Sequence, residues 1–161
     1  MVMQKCSERE FKDYKMQNQF AICIAEPKNR NGIISLLQEE KLPADDLSVD
    51  LLNFFVAKDN GNLIGSIGLE IYDHNGLLRS LVVKASHRKM KVATALVNEL
   101  EVSARKMGLK NIYLLTETAE GYFTKKGYVT ITRREAPTSL EHSTQFSHVC
   151  PSSATLMVKR L

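Results

Sequence analysis

Apolar residues at Val92, Leu96, Leu100, Ala104 and Met107 fall one helical turn apart, with Ala93 and Val97 widening the stripe. This spacing predicts a long helix from Lys91 that Gly108 stops. Upstream, the apolar run Phe20–Glu26 reads as a strand ended by Pro27 and the turn residues Asn29 to Gly32. Ile33, Ile34, Leu36 and Leu37 predict a helix next, and helical spacing resumes past Pro43. Two β-rich runs around Asp59, Asn60 and Gly61 predict a hairpin, and Leu77–Val83 a further buried strand. After the long helix come a strand at Asn111–Glu117, a short helix from Ala119 to Lys126 capped by Thr118 and ended by Gly127, and a strand at Tyr128–Arg134. A polar stretch from Glu135 to Ser153 leads to a closing strand, Ala154–Arg160. The expected fold is α/β, with a mixed central sheet of about six or seven strands flanked by helices. It forms one domain over residues 20–161, behind a polar N-terminal extension of residues 1–19.

Composition narrows the class. The 161 residues, 43% hydrophobic and 25% charged, suit one globular domain. No apolar run approaches the ~18 residues of a membrane span, and the start lacks the apolar segment of a secretory signal. Cys6, Cys23 and Cys150 are odd in number and far apart, which predicts neither a disulfide framework nor a metal site. A reducing cytoplasm is the expected location. The net charge of +4 is compatible with nucleic acid, with an anionic cofactor, or with solubility alone.

The placement of that charge says more than its sum. His87, Arg88, Lys89 and Lys91 sit where a strand passes into the long helix, and no Asp or Glu lies between Lys84 and Glu99. A cation near a helix N-terminus opposes the helix dipole by roughly 0.3–1 kcal/mol, whereas the unpaired amides there attract anions. Either these side chains extend into water, or a polyphosphate reverses the sign of that cost. The cluster lacks interleaved aromatics, which argues against nucleic acid.

The segment LVVKASHRKMKVATALVNELEVSARKMG resembles the GNAT superfamily of acyl-coenzyme A-dependent N-acetyltransferases, with Leu81, Val83, Arg88, Val92, Ala93 and Leu96 in register with its motif. In that family the loop amides hold the cofactor pyrophosphate, so the resemblance implies acetyl-CoA as cosubstrate. It implies a binding segment of Leu81, Val82, Val83, Arg88, Lys89, Lys91, Val92, Ala93 and Thr94, with Phe123 in the later block. Ala85 stands where the family has proline, and Lys89 and Lys91 where it has glycines. A Cβ at each position either crowds the loop or, if Lys91 keeps a negative φ, lets its ammonium reach phosphate. The block TETAEGYFTKKGYV is similar to a second family motif, through Tyr122, Phe123, Lys126, Gly127 and Tyr128. The ending, through Cys150, Pro151, Ser153, Ala154 and Met157, resembles small bacterial N-acetyltransferases associated with arsenic resistance, which are similar to acetyltransferases of glutamate-like amino acids.

Such a reaction is direct attack of a neutral amine on a thioester. Backbone amides near Leu81 to Val83 are the expected polarisers of the acetyl carbonyl. Glu117 and Glu70 are the candidate bases, and each also reads as a solvated strand-end carboxylate. The family's acid tyrosine falls on Phe123, and Tyr122 lies about 100° away around a helix, so it is as readily a packing aromatic as an acid. Arg79 and Arg133 suit an acceptor carboxylate or oxyanion, with a surface salt bridge as the plainer role. Cys150 reads as a small buried residue; His142 and His148 lie near it in sequence, but relatives transfer without a covalent enzyme intermediate. The implied partner is a small-molecule amine acceptor, with no nucleic acid and no membrane, and a homodimer is left open. A non-catalytic acyl-CoA-binding module is the competing reading.

Overall fold

The computed structural model describes residues 19–149 and 151–161, so the expected extension up to residue 18, and Cys150, lie outside the described residues. The strands are β1 (Ala21–Ile24), β2 (Phe54–Asp59), β3 (Asn62–Tyr72), β4 (Asn75–Val83), β5 (Asn111–Thr116), β6 (Val129–Ile131) and β7 (Thr155–Arg160). The α-helices are α1 (Arg30–Glu39), α2 (Val92–Lys106) and α3 (Glu120–Lys125). The strands form one mixed sheet in the order β1-β2-β3-β4-β5-β7-β6, with β4 and β5 parallel. This is the expected single α/β domain. Two compact units make it up, one of residues up to Gly68 with Ser80–Leu100, the other of Leu69–Arg79 with Glu101–Leu161.

In the first unit, the one-turn spacing of Ile33, Leu36 and Leu37 puts all three on the buried face of α1. They pack with Leu47, Leu51, Phe54, Val56 and Val82, each such side chain contributing about 1.5–3 kcal/mol by leaving water. The hairpin forms as expected: Asn60 and Gly61 both take positive φ, 49° and 81°, as a tight turn between β2 and β3 requires. Gly68 is required by packing, since a Cβ there would lie 2.3 Å from the Phe54 ring. The helix expected past Pro43 does not form. Ala44, Leu47 and Leu51 are buried at helix-like spacing, yet Lys41, Leu51 and Asn53 take positive φ, so the same apolar positions anchor a loop. Cys23 is buried on β1 and is disulfide-bonded, which the cysteine spacing does not predict.

The helix α2 matches its pattern, with Val92, Leu96, Leu100 and Ala104 at most 1% exposed. It ends on Gly108, whose φ of 77° lets Leu109 and Gly108 donate back to the carbonyls of Ala104 and Arg105.

In the second unit, β5 pairs with β7 from Asn111↔Arg160 to Thr116↔Thr155, and Leu77, Tyr113, Leu140 and Leu156 form the core. Three expectations change here. The N-cap of α3 is Ala119, whose amide donates to the Thr116 hydroxyl, rather than Thr118. The strand expected to reach Arg134 stops at Ile131, because Thr132 and Glu135 cap each other's backbone around a 3-10 turn at Arg133–Glu135. The polar stretch that follows is built of short helical turns at Thr138–His142 and Gln145–Val149, pinned by the fully buried Leu140.

Candidate active site

The cationic loop belongs to the first unit. From the end of β4, Lys84 donates its amide to the Ile64 carbonyl at 2.7 Å, and a 3-10 turn at Ala85–His87 swings the chain toward α2. Ala95 donates to the Lys91 carbonyl at 3.0 Å as the helix begins, and Val92, Ala93 and Thr94 make up its first turn. Lys89 and Lys91 take φ of 66° and 61°. The alternative of a negative φ at Lys91 is therefore overturned: the loop keeps a glycine-like path although its residues carry Cβ atoms, at a cost of about 1 kcal/mol each.

The loop's cations differ in their partners. Arg88 pairs with Glu40, which follows α1, and His87 Nε2 lies 3.1 Å from Asp59 in the hairpin turn. The fold thus brings in two carboxylates that the local sequence lacks. Lys89 and Lys91 are exposed and have no carboxylate partner among the described residues. With the first-turn amides they form the anion-seeking part of the loop.

On β4 just before this loop, Leu81 and Val83 are half-buried while Val82 packs into the core. Ser80 has φ of 55° in mid-strand, and its carbonyl accepts from the buried Ser66 hydroxyl at 2.9 Å. A left-handed residue inside a strand changes the direction of the amides that follow it. Sequence reasoning missed this feature, since serine gives no glycine-like signal.

In the second unit, Arg79 on β4 meets Glu70 on β3. The guanidinium donates to Glu70 Oε1, and the Tyr72 hydroxyl donates to Glu70 Oε2. The Arg79 side chain is only 2% exposed, that of Glu70 28%. Burial pushes the Tyr72 phenol well above its ordinary value, and the hydrogen bond to Glu70 and the Glu70 charge push it further, while Ser143 bonds to it and opposes the shift. Tyr72 is thus a neutral donor at any working pH.

The other candidates sit on later elements of the same unit. Glu117 is exposed just beyond β5. Tyr122 is half-buried on α3, its ring edge-to-face with Phe123 at 5.2 Å and beneath the Lys126 ammonium at 5.8 Å. Phe123 is 4% exposed and also meets Tyr128 edge-on at 5.3 Å. Arg133 donates to the carbonyls of Phe146 and Pro151 and lies over the Phe146 ring, tying down the loop before β7. Sequence reasoning also missed Glu101, which is 6% exposed and accepts from Tyr128 at 3.1 Å and Lys159 at 2.8 Å. No group of three metal-ligating side chains occurs among the described residues.

Comparison with known proteins agrees with this arrangement. The acetyltransferase (GNAT) family matches residues 13–128. An amino-acid acetyltransferase of Ralstonia nicotianae (strain ATCC BAA-1114 / GMI1000) is 30% identical over 117 residues, covering 66% of this chain and 26% of the relative. The fold is similar to N-acetylglutamate synthase from Neisseria gonorrhoeae, solved with coenzyme A and N-acetyl-glutamate, at a TM-score of 0.76 and 19% identity over 88% of this chain and 35% of that one. PaiA N-acetyltransferase from Thermoplasma acidophilum, solved with coenzyme A, gives a TM-score of 0.66 at 17% identity, over 88% of this chain and 99% of the other. The chain thus spans about a quarter of the curated relative and about a third of the synthase. With 116 consecutive positions matched to the family, the chain belongs to the GNAT acetyltransferases.

Proposed function

We propose that this chain is an acetyl-CoA-dependent N-acetyltransferase whose acceptor is a small amine bearing a carboxylate, an amino acid or an analogue of one. The observation that carries this reading is the left-handed path of Lys89 and Lys91 into the first-turn amides of α2, at the positions where family members carry glycine. A backbone that accepts this strain with side chains present supports a site kept for close approach of phosphate oxygens. Arg88, Lys89, Lys91 and the amides of Val92, Ala93 and Thr94 would hold the pyrophosphate of coenzyme A.

Acetyl-CoA, when bound, supplies an acetyl thioester that the acceptor amine attacks directly in a ternary complex. The chain's own residues must orient the acceptor, take its proton and offer donors to the carbonyl. Amides of Leu81 to Val83, redirected by the turn at Ser80, are the proposed donors. Arg79 is the proposed carboxylate anchor, and Arg133 supports the adjoining loop through its carbonyl bonds. Of the two candidate bases, Glu70 is better supported than the exposed Glu117, because it already contacts Arg79. Tyr122 is the proposed donor of a proton to the leaving thiolate.

Thermal unfolding with acetyl-CoA, coenzyme A or a short DNA duplex tests the cosubstrate. A ligand at ~100 times its Kd stabilises the fold by about 2.7 kcal/mol. Stabilisation by both coenzymes and not by the duplex is expected, and no shift with either coenzyme would remove the proposal. Thiol release across a panel of L-amino acids then tests transfer.

A further inference from the structure

We infer that Glu70 occupies the acceptor-carboxylate site on Arg79, so that an amino acid binds by exchanging its own carboxylate for that of Glu70 and thereby frees Glu70 to take the ammonium proton. This rests on the acetyl-transfer reading and adds to it a reason for acceptor selection.

Burial carries the argument first. The Arg79 side chain is 2% exposed, whereas Glu70, its partner, is 28% exposed. The carboxylate therefore lies on the open side of the pair, and a ligand reaching the guanidinium must displace Glu70. A buried guanidinium cannot be left without an anion except at large cost, so only an incoming anion can make that exchange. One carboxylate replacing another keeps the charge around Arg79 constant.

The hydrogen bonds carry it further. Glu70 Oε1 accepts from Arg79 and Oε2 from Tyr72, so both oxygens are engaged in the resting state. Once Oε1 leaves Arg79, the bond from Tyr72 still tethers Oε2, and Oε1 can face the acceptor's ammonium. There an N–H bond breaks, an O–H bond forms on Glu70, and the electron pair stays on nitrogen as the attacking lone pair. Base and anchor thus become available together, and only for an acceptor that carries both charges. An amine without a carboxylate leaves Glu70 in place.

The test compares L-amino acids with their decarboxylated amines in thiol release, using the full chain and its Glu70→Gln and Tyr72→Phe variants. The wild type should favour the best amino acid over its amine by at least about 100-fold in kcat/KM. Glu70→Gln should lower KM for that amino acid several-fold while reducing kcat by about 100-fold or more, the opposite signs marking a removed competitor and a removed base. Tyr72→Phe, which removes the tether on Oε2 but keeps the carboxylate, should lower KM and reduce kcat by less than Glu70→Gln does. Calorimetric titration of the same amino acid into the coenzyme A-loaded protein should show tighter binding to both variants. Equal use of the decarboxylated amine, or a raised KM and weaker binding in both variants, would overturn the exchange while leaving acetyl transfer standing. Failure of either coenzyme to stabilise the protein, with no thiol release from any acceptor, would instead remove both readings.

Discussion

Glu70 and Glu101 are bound by the same chemistry and oriented in opposite senses. Each gives one oxygen to a tyrosine and the other to a cation: Tyr72 and Arg79 for Glu70, Tyr128 and Lys159 for Glu101. Around Glu101 the carboxylate is the hidden member, its side chain 7% exposed against 21% for Lys159, with Arg105 a further 3.9 Å away. Around Glu70 the cation is hidden and the carboxylate faces outward. An ion pair sealed from the carboxylate side works as a staple, and one sealed from the cation side can exchange its anion.

The widest difference should come from deleting the cations. Lys159→Met leaves the buried Glu101 carboxylate with Arg105, at 3.9 Å, as its remaining cation and should cost about 3 kcal/mol in denaturant unfolding. Arg79→Met leaves Glu70 able to reach water and should cost only about 1 kcal/mol. The reverse order would break the comparison. Deleting the hydroxyls sharpens it: Tyr128→Phe should lose about 1 kcal/mol, and Tyr72→Phe a few tenths, because Glu70 can rehydrate. Lys91 is a third case, a cation with no carboxylate partner among the described residues. Lys91→Gly should gain up to about 1 kcal/mol by relieving the left-handed residue, and should flatten the salt dependence of coenzyme A binding. An unchanged salt dependence would mean that this ammonium only points to solvent.

The smallest effect concerns an exposed carboxylate. The backbone and hydroxyl of Thr132 hold the Glu135 carboxyl below its usual range. Its contribution to stability is therefore present above the unfolded pKa and lost as pH falls through the lowered folded one. Glu135→Gln should remove a small part of the acid sensitivity of the melting temperature, and leave neutral-pH kinetics unchanged.

Periodic burial was the legible part of the fold. The stripe on α2, the hairpin around Gly61 and the order of strands all follow from spacing and turn residues. Ala44, Leu47 and Leu51 show the limit of that method, because apolar spacing reports burial and not the hydrogen-bond ladder. At the site, the cationic loop was legible because its charges are consecutive. Glu40 and Asp59, which lie against Arg88 and His87, were not, since contacts across the fold leave no local pattern. The left-handed Ser80 was hidden for another reason: its conformation is imposed by its surroundings, including the bond from Ser66, and not by its own propensity.

The exposed charge of Lys89 and Lys91 also bears on how a ligand arrives. Two ammonium groups with no carboxylate partner among the described residues project a field into solvent that Arg88 and His87, each beside a carboxylate, do not. For a polyanion, such a field raises the frequency of productive encounters before any contact forms. On the proposed reading these lysines would act on capture as well as on retention, and a protein that loses them should load its cosubstrate more slowly even where the bound complex is equally long-lived.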